Sequence, residues 1–481
     1  MTYIWHKIHK SLINALLRLL IFYKRAISPY LSGECNFSIT CSEYAQKTIS
    51  SKGIIKGLFL SIARIIFCSI YPIIKRFNLS NKRISLKVFL FFSLLFIICI
   101  SCTNFSPQGG WSNVVKDINQ EEYYVISDEG RLFQIQFNDQ IPMINWSYPE
   151  EESGTSYSTP IIRKDSVIGA TYKCKGQTCT GDIFELNKLS GDVLWKKTIP
   201  SKINSNLIVI NDTLFVASLN NKKEDKVNNG SIYMISLKKG AVGEIIGKIP
   251  TEGEIWSGVH SYGEENIIIG TMKGMIYSYN VDELLSVKDK KYSEALIFSH
   301  KFPHAINSPL AVHNKRLFFA DIAGNFYSIN LEDFKNNQLD KIKIVSTNEW
   351  ILNNPIFLND EVYLFTLNGD IYVLDFDTNE VKDKFSIDKI VVGDPIVLSD
   401  ASDQEFLIPT EKKGIEIVSN NGFERGSSLG NYPTDKKLYS SPLINDRTLL
   451  IHTQDGEILF FSIKSRDLIY CLDLNKGSVC D

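Results

Sequence analysis

A unit of about 40 to 52 residues recurs along residues 111–475, and a period in this range is typical of the blades of a β-propeller. Each unit opens with an apolar or aromatic residue close to Ser, Asn or Asp, and five of the eight openings end in Pro. The openings lie at Trp111-Ser112, Tyr157-Ser158-Thr159-Pro160, Ile203-Asn204-Ser205, Ile255-Trp256-Ser257, Ile306-Asn307-Ser308-Pro309, Leu352-Asn353-Asn354-Pro355, Val392-Gly393-Asp394-Pro395 and Tyr439-Ser440-Ser441-Pro442.

A hairpin signal follows most of these openings. The segments DEGRLFQIQ, NNGSIYMIS, MKGMIYSYN, IAGNFYSIN, LNGDIYVLD and QDGEILFFS each place a Gly-bearing turn before alternating apolar and polar residues. Four-stranded blades that pack radially bury both faces of such hairpins, and closing the ring removes the exposed strand edges. We therefore predict that residues 103–481 form an all-β, eight-bladed propeller; an array of β-sandwiches is the alternative.

The charges of the chain are divided unevenly between its two ends. Residues 1–88 hold 14 Lys and Arg against two acids, whereas residues 89–481 hold 38 against 52. The 13-residue apolar run VFLFFSLLFIICI lies at 88–100 and follows Lys82, Arg83 and Lys87. It is shorter than the roughly 18 to 20 residues of a spanning helix and has the length of a signal-peptide core. The positive-inside rule then keeps the basic end in the cytoplasm and exports the acidic end.

Ser101 and Cys102 follow the apolar run and resemble the processing site of a lipoprotein signal. At such a site the cysteine thiol receives a diacylglyceryl group and becomes the new N-terminus. Cys102 is therefore the predicted lipid-attachment residue, and an uncleaved membrane anchor formed by residues 81–102 is the alternative. In both cases the exported part stays tethered to the inner (cell) membrane.

Residues 10–30 are predicted to form a basic amphipathic helix. Its apolar face is formed by Leu12, Leu16, Leu19, Leu20 and Tyr23. Arg18, Lys24 and Arg25 supply positive charge, and Pro29 ends the pattern. Such a helix suits the surface of an anionic membrane. A core helix of a small helical bundle is the alternative.

Three cysteines of the N-terminal region, Cys35, Cys41 and Cys68, lack the fourth ligand that structural zinc sites need. A cytoplasmic location also disfavours a stable disulfide, so their chemical role stays open. The run Thr40-Cys41-Ser42-Glu43 has the pattern of a capping box and predicts a helix through residues 44–49. A second helix is predicted to begin near residue 53.

The segments LLIFYKRAISPYL, CNFSITCSEYA and KGIIKGLFLSIARIIFC together resemble the YidD family of membrane protein insertion efficiency factors over about residues 11–72. The positions that carry the resemblance are Ile27, Ser28, Pro29, Cys35, Phe37, Thr40, Cys41, Ser42, Tyr44, Lys56, Gly57 and Cys68. The resemblance implies that residues 1–80 form a small α-helical module on the cytoplasmic face of the inner membrane. It also implies that this module contacts membrane lipids and assists the membrane insertase and nascent membrane proteins, without enzymatic activity.

The segment GDIFELNKLSGDVLWKKTIP resembles the pyrroloquinoline-quinone-like propeller repeat. The matching positions are Leu186, Ser190, Gly191 and Trp195. Trp146 and Trp350 stand in similar places, and the resemblance implies that these tryptophans pack between neighbouring blades. The class includes quinone-dependent dehydrogenases and non-catalytic binding propellers, among them the lipoprotein of the outer-membrane β-barrel assembly machine.

The cysteines of the exported part bear on this choice. The dehydrogenases carry adjacent cysteines at the quinone site, whereas the segment KGQT separates Cys174 from Cys179. We therefore expect a binding or assembly scaffold for an exported protein or polymer, without a cofactor; a quinone-dependent dehydrogenase and a polymer-binding or sensory propeller are the alternatives. In an oxidising compartment the even count favours disulfides, Cys174 with Cys179 and, as a second candidate pair, Cys471 with Cys480.

Other chemistry is not indicated by the sequence. Pro303 lies between His300 and His304 and argues against one helical face presenting both to a metal. The acids of VLDFDTNEV have the spacing of a turn rather than of a calcium loop. The sequence contains no phosphate-binding loop, and the acidic exported part has no nucleic-acid footprint. We predict a non-enzymatic protein without a metal or a nucleic-acid partner.

Overall fold

The computed structural model describes two parts of the chain. In the N-terminal part it describes residues 44–45, 47–49, 56–57, 60–61 and 64, all of them helical. From residue 110 it describes the chain to residue 480, apart from 119, 139–140, 151–153, 176–177, 221–228, 288–290, 401–402 and 421–424. The chain divides into two compact units, Met1–Gln108 and Gly109–Asp481. The domain boundaries expected at residues 80 and 102 stay predictions.

The described helical residues of the first unit agree with the two helices expected after the capping box and after residue 53. Within these residues, no helix is both long and apolar enough to cross a bilayer. The predicted amphipathic helix at 10–30 and the apolar run at 88–100 lie outside the described residues.

The second unit consists of eight antiparallel sheets, called blades 1 to 8 here, in which strands pair in sequence order. Blades 1 and 2 contain β1 (Val115–Lys116), β2 (Glu122–Ile126), β3 (Leu132–Asn138), β4 (Ile141–Tyr148), β5 (Ile161–Ile162), β6 (Ser166–Lys175), β7 (Thr178–Asn187) and β8 (Val193–Ile199). Blades 3 and 4 contain β9 (Ser201–Lys202), β10 (Ile208–Ile210), β11 (Thr213–Asn220), β12 (Gly230–Ser236), β13 (Ile245–Thr251), β14 (Val259–Tyr262), β15 (Asn266–Gly270), β16 (Met275–Asn280) and β17 (Leu296–Lys301).

The remaining blades continue this pattern. Blades 5 and 6 contain β18 (Ala311–His313), β19 (Arg316–Ala320), β20 (Asn325–Asn330), β21 (Lys343–Ser346), β22 (Ile356–Leu358), β23 (Glu361–Phe365), β24 (Asp370–Asp375) and β25 (Val381–Ser386). Blades 7 and 8 contain β26 (Ile396–Asp400), β27 (Asp403–Pro409), β28 (Ile415–Ser419), β29 (Ser428–Tyr432), β30 (Leu443–Asn445), β31 (Thr448–His452), β32 (Glu457–Ser462), β33 (Leu468–Asp473) and β34 (Ser478–Val479).

The hairpin signal read from the sequence is the turn between the second and third strands of a blade. In six blades its Gly has a positive φ between 74° and 93°, a conformation that costs a residue with a Cβ more than it costs Gly. These residues are Gly130, Gly274, Gly324, Gly369, Gly414 and Gly456. The two strands that this turn joins are the most buried of the blade, as β2 and β12 illustrate, because neighbouring blades cover both of their faces.

Each blade packs against two neighbours, and the set closes into a ring. Eight apolar clusters join successive blades, and one of them joins blade 8 to blade 1 through residues such as Phe133 and Phe460. Among the described strands, blades 1 and 8 exchange none, and side-chain packing and hydrogen bonds join the two blades. The predicted eight-bladed propeller is confirmed, and the alternative of a β-sandwich array is wrong.

Two short helices lie between the third and fourth strands of blades 4 and 5. They are α1 (Val281–Ser286) and α2 (Leu331–Lys335), and the side chains of Asn280 and Asn330 cap their N-termini. Short 3-10 segments follow at Tyr292–Ala295 and Leu339–Lys341. Leu284 of α1 and Phe334 of α2 are buried between the blades, so each helix fills a groove beside its own blade.

The antiparallel topology gives the propeller two different ends. At the crossover end each fourth strand leads into the opening of the next blade, and the turns between second and third strands also lie there. At the opposite turn end lie the turns between first and second strands and between third and fourth strands.

Candidate functional site

The two helical segments that the structure describes in the first unit meet at Gly57. A Cβ added to Gly57 would lie 2.5 Å from the Cα of Ile49, so only Gly permits this approach. Beside this contact the hydroxyls of Thr48 and Ser61 are hydrogen-bonded at 3.1 Å. Ser61 Oγ also donates to the carbonyl of Gly57 at 2.6 Å. Small side chains and one Gly therefore hold the two segments at close range.

Tyr44, one of the predicted family-motif residues, belongs to this contact. The guanidinium carbon of Arg64 lies 4.4 Å from the centroid of the Tyr44 ring, which is a cation–π contact between the two segments. Other predicted motif residues and the predicted lipid-attachment residue lie outside the described part of the chain; they are Ile27, Ser28, Pro29, Cys35, Phe37, Thr40, Cys41, Ser42, Cys68 and Cys102.

At the crossover end, the openings of the sequence repeat link successive blades by equivalent hydrogen bonds. At four junctions a backbone N–H in one opening donates to a side-chain oxygen within the next opening or directly after it. The bonds run from Thr159 to Asn206 at 2.8 Å, from Asn354 to Asp394 at 2.9 Å, from Asp394 to Ser441 at 3.2 Å, and from Ser441 to Asn113 at 2.8 Å. The bond between Ser441 and Asn113 joins blade 8 to blade 1. The recurrence of short polar residues in the openings therefore has a structural cause.

Aromatic side chains gather around the point where the ring closes. The ring centroid of Trp111 lies 4.7 Å from that of Tyr157 in the blade 2 opening and 5.2 Å from that of Tyr439 in the blade 8 opening. Both contacts are edge-to-face, and Tyr157 stacks on Tyr172 of β6 at 6.0 Å. Three blades thus contribute to one aromatic cluster at the crossover end.

Lys202 adds a half-buried amine to this cluster. Its Nζ lies 4.7 Å from the ring centroid of Tyr172 and 6.0 Å from that of Tyr157. Burial lowers the pKa of Lys202, while the nearby Glu254 carboxylate acts in the opposite direction. Burial also raises the pKa of Tyr172, so this phenol stays protonated at neutral pH. Trp256, which is 39% exposed, donates its Nε1–H to Glu254 at 3.0 Å.

The predicted cysteine pairs lie in different places. Cys174 and Cys179 form a disulfide near the tip of the β6–β7 hairpin, which projects beside Tyr172 at the crossover end. Cys471 and Cys480 form a second disulfide that ties β34 to β33. Among the described residues, Glu457 and these last two cysteines form a group with metal-ligand spacing. Because both sulfurs are already bonded to each other, the group offers no thiolate.

Two of the tryptophans expected to pack between blades do so. A Cβ on Gly191 of blade 2 would lie 2.8 Å from the indole of Trp146, and one on Gly243 of blade 3 would lie 3.0 Å from the indole of Trp195. Both tryptophans lie on fourth strands, β4 and β8, as the repeat implies. Trp350 lies instead between β21 and β22, so its assignment to the same repeat position is wrong.

His300 and the acidic turn that begins at Asp375 both make hydrogen bonds to the protein backbone. His300 is buried on β17, and its ring nitrogen donates to the carbonyl of Phe334 at 2.7 Å. His304 lies beyond the end of that strand in the following connection, so the structure does not pair the two histidines. The Asp375 carboxylate accepts the backbone N–H groups of Asp377 and Thr378 at 3.0 and 2.8 Å, which is the hydrogen bonding of an Asx turn.

Sequence reasoning missed Lys202 and the aromatic cluster around it. Lys202 meets Tyr172 only because β9 crosses from blade 2 to pair with β11 of blade 3. A signal was present in the openings themselves, since Trp111, Tyr157, Trp256 and Tyr439 stand at equivalent places in four units. Aromatic residues at the start of repeat units that meet around one axis predict a shared surface.

The two units of the chain resemble different known proteins. The family model described as "Putative membrane protein insertion efficiency factor" (YidD) matches residues 12–74. A protein of that description from Rickettsia typhi is 58% identical over 53 residues, which cover 11% of this chain and 65% of the relative. One from Rickettsia felis is 45% identical over 78 residues, which cover 14% of this chain and 95% of the relative. The chain therefore spans just under two thirds of the first relative and nearly all of the second.

The second unit resembles a solved propeller. The crystal structure of BamB from Moraxella catarrhalis superposes with a TM-score of 0.53 and 12% sequence identity, covering 73% of this chain and 95% of that chain. At this identity the likeness shows the fold alone.

Proposed function

Because this chain belongs, through residues 12–74, to the family of membrane protein insertion efficiency factors, we propose that its N-terminal region assists the insertion of integral membrane proteins. This role places the region on the cytoplasmic face of the inner membrane, beside the insertase and its nascent substrates. The family match carries the proposal. The close contact at Gly57 supports it, because this contact holds the motif residue Tyr44 in a defined position.

We further propose that the propeller is exported and acts as a tethered, non-enzymatic binding scaffold. The division of charge around the apolar run at 88–100 supports export, and Cys102 is the proposed site of lipid attachment. The two disulfides of the propeller suit an oxidising compartment. The aromatic cluster around Trp111 and the exposed Trp256 at the crossover end offer residue types that dominate protein-binding surfaces.

The experiment that tests the insertion role removes the N-terminal region. Cells that rely on this protein receive either the full chain or the chain lacking residues 1–83, and the rate at which an insertase substrate becomes membrane-integrated is measured. We expect slower insertion with the shortened chain at equal propeller levels. Equal rates would contradict the proposed role.

Processing at Cys102 is tested separately with distinct tags at the two ends of the chain. A cleaved chain gives two bands on a blot, and Cys102→Ala should merge them into one band. A single full-length band in the unmodified chain would support the uncleaved anchor instead.

A further inference from the structure

Exposed aliphatic side chains are concentrated on four consecutive blades. Among the described residues, twelve of the fifteen large hydrophobic side chains that are exposed belong to blades 8, 1, 2 and 3. Blade 1 exposes Ile118 by 95% and Met143 by 52%, and blade 2 exposes Leu189 by 74% and Leu194 by 54%. Blade 3 adds Val242. Such a concentration exceeds the scattered apolar residues of an ordinary protein surface.

The topology brings eleven of these twelve side chains to the turn end of the propeller; the exception is Val479 of β34, which pairs with Leu472 near the end of β33. Ile118 lies in the turn between β1 and β2, whereas Leu189 and Val242 lie in the turns between the third and fourth strands of blades 2 and 3. Leu194 and Met143 follow near the beginning of fourth strands. We call the turn end of blades 8, 1, 2 and 3 the aliphatic arc.

Among the described residues, the turn end of blades 4 to 7 exposes fewer large aliphatic side chains than the aliphatic arc. In blades 4 and 5 the connections between third and fourth strands are the helices α1 and α2, whose apolar residues Leu284 and Phe334 are buried. Among the described residues, blades 5 and 6 each expose one large aliphatic side chain and blade 7 exposes none. A groove of about 850 Å³ also opens between blades 8 and 1, lined in part by Phe137 and Ile469.

We propose that the aliphatic arc rests on the surface of a lipid bilayer, with Ile118, Leu189 and Val242 inserted among the acyl chains. The residue types favour lipid over a protein partner, because protein hot spots are rich in Trp, Tyr and Arg, whereas the exposed hydrophobic residues of these four blades are Ile, Leu, Val and Met. Their positions at the tips of separate turns also suit a soft, extended surface better than one complementary pocket.

The length of the connecting chain places the propeller within reach of this surface. Seven residues, 103–109, separate Cys102, the proposed site of lipid attachment, from Gly110, the first described residue of the propeller. Seven extended residues span about 23 Å. A tether of this length keeps the effective concentration of membrane high, so that a few inserted side chains suffice to orient the propeller. This inference rests on the membrane tether proposed above.

The test uses the full chain reconstituted in nanodiscs of phosphatidylethanolamine and phosphatidylglycerol. A photoreactive benzoylphenylalanine replaces Leu189 in one protein and Thr378 in another, and adducts with radiolabelled lipid are counted after irradiation. Thr378 is the matched control because it is exposed in the equivalent turn of blade 6. We expect about tenfold more lipid adduct at 189 than at 378, since transfer of a Leu-sized side chain from water is worth at least that factor.

A second protein carries the probe in place of Leu194 together with Ile118→Ser, Leu189→Ser and Val242→Ser. These three side chains are exposed, so their replacement leaves the core intact, and the lipid adduct at 194 should fall about tenfold. Equal adducts at 189 and 378, or adducts with a second protein copy at 189, would overturn the inference while the tether stands. Failure of the full chain to remain with the nanodiscs would overturn the tether itself, and the inference with it.

Discussion

The imidazole Nδ1 of His452, at the end of β31 in blade 8, donates a hydrogen bond to the backbone carbonyl of Ser112 in the blade 1 opening at 2.9 Å. His452 is completely buried. Together with the bond from the Ser441 N–H to Asn113, this contact fastens the last blade to the first. The two ends of the propeller sequence are thus held together by hydrogen bonds between the opening of blade 1 and residues of blade 8.

His452 should make the propeller sensitive to mild acid. Burial lowers its pKa to about 4, so the folded protein holds the neutral ring while the unfolded chain takes a proton near the ordinary pKa of 6.5. As the pH falls from 6.5 towards 4, the unfolded state binds a proton that the folded state does not, and the free energy of unfolding falls by up to about 3 kcal/mol. Thermal unfolding between pH 6.5 and 5 measures the onset of this loss.

His452→Asn is the matched variant, because the Asn amide can still donate to the Ser112 carbonyl but does not titrate. His260 provides a comparison, since burial also lowers its pKa to about 4 and its Nε2 donates to the Ser257 carbonyl at 2.8 Å. We expect His452→Asn and His260→Gln each to reduce the pH slope and the double variant to reduce it further. An unchanged slope in His452→Asn would show that this ring does not control the acid response.

Asn113 should contribute measurably to ring closure. Asn113→Ala removes the acceptor of the Ser441 N–H and leaves that donor without its partner, at a cost of about 1 kcal/mol. Hydrogen exchange at Ser441 should accelerate about fivefold, while Asn138→Ala at the exposed end of β3 should leave it unchanged. Similar exchange in both variants would show that the bond between Ser441 and Asn113 does not contribute to ring closure.

The disulfide between Cys174 and Cys179 should restrict the motion of the tip of the β6–β7 hairpin. Replacing both residues by Ser removes a short covalent loop, which chain-entropy arguments value at about 2 kcal/mol. Amide exchange in residues 172–181 should rise, whereas the corresponding change at Cys471 and Cys480 should leave these amides unaffected. The same exchange rates with and without the disulfide would refute this role.

Gly57 should be irreplaceable in the helical contact. In Gly57→Ala the added Cβ would meet the backbone of Ile49 at 2.5 Å, so the segments must separate, at a cost of about 1 to 3 kcal/mol. Lys56→Ala at the exposed neighbouring position is the control. Limited proteolysis of the full chain should cut the first unit faster in the Gly57 variant alone; equal cutting in both variants would contradict the tight contact.

The propeller could be predicted from the sequence because each blade carries its own local sequence signal. A positive-φ Gly in the turn and alternating residues in the strands are properties of single hairpins, and the period then counts the blades. The aromatic cluster and the His452 contact depend on residues that are hundreds of positions apart or belong to different blades, and only ring closure brings them together. The capping box predicted helix at Tyr44 but not its Arg64 partner, because the approach of the two segments depends on packing at Gly57.

The N-terminal region and the propeller are proposed to work on opposite sides of one membrane, and protease protection tests this arrangement most directly. Spheroplasts that express the full chain with a tag at each end are treated with an external protease. We predict that the N-terminal tag stays intact and that the C-terminal tag is removed, with both tags digested once the membrane is dissolved. Protection of both tags, or digestion of both in intact spheroplasts, would contradict this arrangement.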